Sequence, residues 1–181
     1  MVGLVAALLA LLAGPAAGTV VESEHYSGTD SYNFDDCGFT INGEAEFSGQ
    51  FRVRADRDGE AFYARDTFSF RDVLTNADTG EWFVVRGHGV FNEVKATLVS
   101  GTIYEFVAVQ AGQPFVIEDS DGNIVVRDRG VIRSAALFDT LGDGVPGVVF
   151  LEETHLSVHG PHPGFAEDFP FCEIAAELTG A

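Results

Sequence analysis

Residues 39–54, FTINGEAEFSGQFRVR, alternate between two kinds of side chain without a break. Phe39, Ile41, Gly43, Ala45, Phe47, Gly49, Phe51 and Val53 form one set. Thr40, Asn42, Glu44, Glu46, Ser48, Gln50, Arg52 and Arg54 form the other. An unbroken period of two over such a length is the pattern of a β-strand with one face in a core and one in water. The Asn42-Gly43 pair inside it is, by itself, a strong hairpin signal. A two-residue turn there would set Ile41 opposite Glu44, Thr40 opposite Ala45 and Phe39 opposite Glu46. Each pair would then mix a core group with a water-facing one on the same side of the sheet. An uninterrupted strand has no such conflict. Gly43 and Gly49 then face inward, as points of tight coiling or of close approach by another side chain.

Laid flat, this strand would span roughly 50 Å, too long for a domain of this size, so it must coil or bend. The rest of the chain supplies its neighbours. Residues 61–74 alternate, with Phe62, Ala64, Asp66, Phe68, Phe70, Asp72 and Leu74 on one face. Residues 75–80 connect to a third long strand over 81–92, where Gly87 and Gly89 share a face with Phe83, Val85 and Phe91. A fourth strand is predicted over 97–109, with Gly101 as a bulge. Residues 110–113 read as a turn into 114–119, and 120–123 turn the chain back into a strand over 124–139 with Gly130 in its middle. The glycine-rich loop 140–147 leads to a last strand over 148–159. Upstream of the opening strand, 19–26 alternates loosely, and 28–37 reads as loop because turn-forming residues dominate it.

After Pro170, Phe171, Ile174, Ala175 and Leu178 fall on one helical stripe, which predicts a short C-terminal helix. No helix separates the strands, and this excludes parallel α/β units. The predicted fold is all-β: an antiparallel up-and-down barrel of about eight long strands with a short C-terminal helix. A bent β-sandwich is the alternative. Inward glycines favour the barrel because they let long strands take tight curvature.

The N-terminus points to a compartment. Residues 1–13, MVGLVAALLALLA, are apolar and uncharged, Gly14-Pro15 interrupts them, and Ala16-Ala17-Gly18 places small residues at a cleavage site. This is the layout of a signal peptide over 1–18, cut before Thr19, leaving one β-barrel domain over 19–181. The run is shorter than the ~20 residues a membrane-spanning helix needs, so the mature chain is expected to be secreted and free of the membrane. Cys37 and Cys172, the only two cysteines, are expected to pair in that oxidising setting. The 28 acidic residues outweigh 10 basic ones, for a formal charge of -18. Such a surface repels phosphate backbones and anionic lipid, which argues against nucleic-acid or membrane-surface partners. A small molecule is the expected partner, and no cofactor is implied.

Few residues stand out for chemistry. Asp66 and Asp72 lie on an apolar face, where a carboxylate needs a compensating partner, and arginines on neighbouring strands are available. Arg86 shares a face with Trp82, Val84 and His88, and His88 is the best single candidate for an interior base. Asp66, Arg86 and His88 are therefore the candidate ligand-binding residues. His155 and His159 share a strand face but lie ~13 Å apart, too far for one ion. His159 and His162 bracket Gly160-Pro161 and, with a carboxylate, would have the donors of a zinc site. Residues 139–147 resemble the aspartate-rich calcium loops of extracellular repeat proteins in Asp139, Asp143 and Gly144. Leu141 and Gly147 stand where oxygen ligands belong, so a tight turn is the reading and no metal is assigned. Gly80-Glu81-Trp82 is similar to the G-x-W of lipocalins but follows a mid-chain hairpin instead of opening the first strand, and nothing is carried over from it. No Ser-His-Asp spacing, nucleophile elbow or phosphate loop is present.

Three functional readings follow. The first is a binding module taking a small apolar or amphipathic molecule into the barrel. The second is a cyclase- or isomerase-type enzyme using Asp66, Arg86 and His88 as acid/base groups. The third is an extracellular structural or interaction domain whose core is filled by its own phenylalanines. The presence of a cavity separates the third from the first two.

Overall fold

A computed structural model describes residues 18–181, so the expected leader lies almost wholly outside the described residues. The 39–54 alternation becomes strand β2 (Ile41–Ala55), paired along its length on both sides. Before it runs β1 (Val20–Phe34) and after it β3 (Phe62–Asn76), β4 (Trp82–Ser100) and β5 (Ile103–Glu118). Next come β6 (Ile124–Arg127), β7 (Gly130–Asp139) and β8 (Val149–His159), and the chain ends in helix α1 (Phe171–Thr179). The eight strands make one antiparallel sheet in the order β1-β2-β3-β4-β5-β7-β8, with β6 paired to β5. No ladder joins β1 to β8 among the described residues, so the sheet keeps two edges. On the β8 edge Val149, Phe150, Leu151 and Leu156 stay exposed.

Asn42 and Gly43 lie mid-ladder opposite Asn33 and Tyr32, as the polarity argument against a hairpin requires. Four local expectations are corrected. Residues 28–34 are strand, because Gly28, Asp30, Tyr32 and Phe34 meet Phe47, Ala45, Gly43 and Ile41 in register. The stretch 97–109 does not run through: Gly101 (φ +55) sits in the turn between β4 and β5, with Leu98 opposite Tyr104. Residues 110–113 do not turn but continue β5, and Gly112 lies against the backbone of His88 and Gly89 where the ladder shifts register. Residues 124–139 break at Asp128–Arg129, because the Asp128 N–H donates to the Phe115 carbonyl and the Arg129 N–H to that of Pro161.

Both core clusters lie on one face of the sheet, at the two ends of the strands, while Val84 and Val116 are buried on the other face. At one end Ile41, Leu74, Phe83, Val85 and Ile117 pack with Ala175 of α1, flanked by Phe171 and Leu178. Full burial of a side chain such as Phe83 or Ile117 contributes roughly 1.5–3 kcal/mol, so covering this end is what holds α1 to the sheet. The Cys37–Cys172 disulfide, with Cα atoms 5.0 Å apart and a sequence separation of 135, ties the start of α1 to the chain just before β2. At the far end of α1, buried Asn76 donates from Nδ2 to Thr179 Oγ1 at 3.3 Å, and Thr79 Oγ1 donates to the Thr179 carbonyl at 2.8 Å. At the opposite end of the strands a second cluster forms from Ala61, Tyr104 and Phe106, with Ala96 and Phe138 against it.

Between the two clusters, aromatic rings lie over inward glycines of the adjoining strand. Tyr26 covers Gly49, Tyr32 covers Gly43, Phe47 covers Gly28, Phe68 covers Gly89 and Phe70 covers Gly87. A Cβ at Gly49 would stand 2.2 Å from the Tyr26 hydroxyl, and one at Gly43 would stand 2.5 Å from Tyr32 Cζ. Cross-strand aromatic–glycine packing of this kind lets a ring lie flat where any side chain would push it off the sheet.

Candidate functional site

Asp66 and Asp72 do lie on the core face, but the groups that meet them are tyrosines. Tyr26 Oη donates to both carboxylate oxygens of Asp66 at 3.0 Å, and Tyr32 Oη donates to Asp72 Oδ2 at 3.0 Å. Each tyrosine crosses a glycine of β2 to reach an aspartate on β3, so the two sets, Tyr26–Gly49–Asp66 and Tyr32–Gly43–Asp72, repeat six residues apart on every strand. Burial pushes the Tyr32 phenol up to about 12, and the hydrogen bond and charge of Asp72 push the same way. A phenol so raised remains a donor at physiological pH, and the aspartates are held as clamps between β1 and β3.

Arg86 and His88 project from the opposite face. Arg86 pairs with Glu118, and that hydrogen bond is the main reason the Glu118 carboxyl is held below its usual range. His88 is exposed, beside Ser69 of β3. It is not an interior base, because the alternation that points Phe83, Val85 and Phe91 inward points it out. Asp66, Arg86 and His88 are thus divided between two faces of one sheet and do not converge on a ligand.

The metal candidates stay apart too. His159 is exposed at the end of β8, whereas the His162 side chain is buried with Nδ1 3.9 Å from Asp128 Oδ2. Asp139 Oδ1 accepts the Leu141 N–H at 2.9 Å and Asp143 Oδ1 accepts the Val145 N–H at 3.1 Å, so each carboxylate closes its own turn. Among the described residues no three His, Cys, Asp or Glu side chains are placed to hold a metal ion.

The arrangement that can hold a ligand centres on a residue outside that set, Glu93. In β4 the inward alternation Phe83, Val85, Gly87, Gly89, Phe91 continues to Glu93, after which the ladder to β5 slips by a residue. The neighbouring ladder to β3 is registered as far as Arg65 opposite Asn92. One step beyond, the Ala64 N–H donates to Glu93 Oε2 at 2.6 Å, so the carboxylate takes the place of a missing backbone acceptor. Burial pushes the Glu93 carboxyl above the usual range, and the Ala64 hydrogen bond offsets this only in part. No other donor to Glu93 is present among the described residues.

Glu93 faces a pocket of about 270 Å³. Its walls are Phe51, Val53, Phe62 and Phe106, residues 146–148 of the loop before β8 close one side, and exposed Glu22 of β1 stands at the rim. The pocket therefore spans the curl of the sheet from β1 to the approach to β8. A broader hollow of about 520 Å³ lies over Ser27, Ser48, Ser69, Glu46 and Arg71. That surface is shallow and open to water, with no buried titratable group in it, and it has less to select a ligand with.

No protein-family model, curated protein or solved structure matches this chain. Fold and site together define an all-β, disulfide-stapled domain with an acid-bearing apolar pocket at one end of its sheet.

Proposed function

We propose that this chain is a secreted binding protein that takes a small, largely apolar molecule into the pocket against Glu93. The observation that carries this reading is the pocket itself: about 270 Å³ of space walled by three phenylalanines and a valine, with one half-buried carboxyl in its lining. An apolar cavity of about 150 Å³ accepts one benzene ring, so by the same ratio this one has room for about ten non-hydrogen atoms. Export is supported by the leader-like opening sequence and by the disulfide. Among the described residues no helix is long and apolar enough to cross a membrane. The enzymatic reading loses its proposed acid/base set, because Asp66 is clamped by Tyr26 while Arg86 and His88 face the other way.

Native mass spectrometry on protein purified from its own host's medium tests this reading. The expected result is a population heavier than the bare chain by the mass of a small organic molecule, released under denaturing conditions. Only the bare mass, together with no uptake of apolar probes, would count against it. An interaction domain is the second reading, and it rests on the open β8 edge with its exposed Val149, Phe150, Leu151 and Leu156. Light scattering that shows a monomer at high concentration would remove self-pairing through that edge.

A further inference from the structure

We infer that the ligand of the Glu93 pocket is an amine: a short apolar chain or ring ending in one cationic nitrogen, seated with the nitrogen on Glu93. This rests on the binding reading above and adds the chemistry of the polar end.

Among the described residues, the only ionisable side chains lining the pocket are the carboxylates of Glu93 and Glu22, with no lysine, arginine or histidine in the lining. Carboxylates accept hydrogen bonds and do not donate them when ionised. One oxygen of Glu93 is taken by the Ala64 N–H, and Oε1 has no donor among the described residues. A half-buried carboxylate without a counter-charge carries a desolvation cost, and an ammonium placed there supplies both the charge and the missing donor. An alcohol supplies a donor but no charge. A fatty acid supplies a second carboxylate and meets repulsion at both Glu93 and Glu22. The field of the whole molecule acts in the same sense, because a formal charge of -18 draws cations toward the mouth and turns anions away. The phenylalanine walls add favourable contact for an alkylammonium, since a cation near an aromatic face is attracted by the ring.

Three probes of equal chain length separate the possibilities: octylamine, octanol and octanoate, each titrated by calorimetry into the full mature protein at mildly alkaline pH. The inference expects octylamine to bind at least about tenfold tighter than octanol, with octanoate unbound, a preference equal to about 1.4 kcal/mol. Glu93→Gln should abolish the amine preference, bringing octylamine to about the affinity the same variant shows for octanol, whereas Glu22→Gln should weaken octylamine by less. Octanol bound as tightly as octylamine by the wild-type protein overturns the inference and leaves the binding reading standing. So does an amine-to-alcohol ratio that survives Glu93→Gln. If none of the three probes is taken up, the binding reading itself falls and the inference goes with it. The wild-type comparison needs no variant to fold, so equal affinity for octanol and octylamine overturns the inference even if Glu93→Gln is unstable.

Discussion

Gly49→Ala should destabilise this protein, although the same change in the interior of an ordinary strand stabilises by roughly 0.5–1 kcal/mol. The Gly49 backbone is not in the left-handed region, so alanine meets no strain of conformation there. The obstacle is space. The added methyl would stand 2.2 Å from the Tyr26 hydroxyl and 2.4 Å from the Thr67 carbonyl oxygen. Tyr26 can swing away, but the Thr67 carbonyl belongs to the β3 backbone and must move with its strand. Overpacking of this kind costs about 1–3 kcal/mol. Displacing Tyr26 also gives up its bond to Asp66, about 1 kcal/mol at a half-exposed site. Set against the propensity gain, the net loss is about 1–3 kcal/mol. Gly28→Ala is the control: its nearest atom, 2.7 Å away, is the tip of the Phe47 ring, a side chain 41% exposed and free to turn. That variant should lie close to the wild type. Urea unfolding with the disulfide intact reads the difference, and a loss of 2 kcal/mol moves the midpoint by about 1 M at a typical slope. Gly49→Ala with an unchanged or higher midpoint would refute the claim that a ring laid over glycine organises this face.

The disulfide, the helix tie and the pocket carboxyl each give a further expectation. With the cysteines 135 positions apart in sequence, the loop-entropy relation gives an upper figure of about 5 kcal/mol for the Cys37–Cys172 bond. Reduction should therefore lower the urea midpoint steeply, and an unchanged midpoint would show that α1 docks without the staple. Thr179→Val keeps the side-chain shape but leaves buried Asn76 Nδ2 without its acceptor. A loss of about 1–3 kcal/mol in the same assay is expected, and no loss would mean that Asn76 finds another partner. For Glu93 the folded protein holds the proton more tightly than the unfolded chain does. Its contribution to stability is thus fully present below the ordinary carboxylate pKa and is lost as pH rises through the elevated folded value. Among the described residues, Glu22 is the only other titratable group lining the pocket. The stability of Glu93→Gln relative to wild type should accordingly increase with pH across that window, and a difference flat in pH contradicts the burial argument.

Long-range order in this fold was readable wherever alternation was clean. The polarity test that rejected a turn at Asn42-Gly43 needed only side-chain faces, and Tyr32 now lies where that turn would have closed. The stripe Phe171, Ile174, Ala175, Leu178 located α1, and the cysteine pairing followed from compartment. Gly101 was not decidable locally, because a bulge and a hairpin turn make the same demand for a left-handed glycine. Only the pairing of Thr97 with Glu105 across that turn selects one. Residues 28–34 were hidden for a similar reason: glycine, aspartate and serine signal turns, yet here Gly28 is the floor for Phe47 and Asp30 continues the inner face. Asp66 and Asp72 were recognisable as inward carboxylates, but their partners, Tyr26 and Tyr32, sit 40 residues away and no local pattern links them. Glu93 had a legible signal. It continues the face of Phe83, Val85 and Phe91, and it is missed only if the strand is stopped at Asn92.

The central claim, that the pocket at Glu93 is the binding site, is tested most directly by following backbone amide signals of isotope-labelled protein during titration with octylamine and, separately, octanol. Saturable shifts are expected at Ala64, whose N–H is bonded to Glu93, and at Gly147 and Val148 of the bordering loop. Tyr32 and Leu178, at the α1 end of the sheet, should stay in place. Shifts confined to the outer surface around Ser48 and Ser69, or saturable binding that leaves Ala64 unmoved, would contradict it.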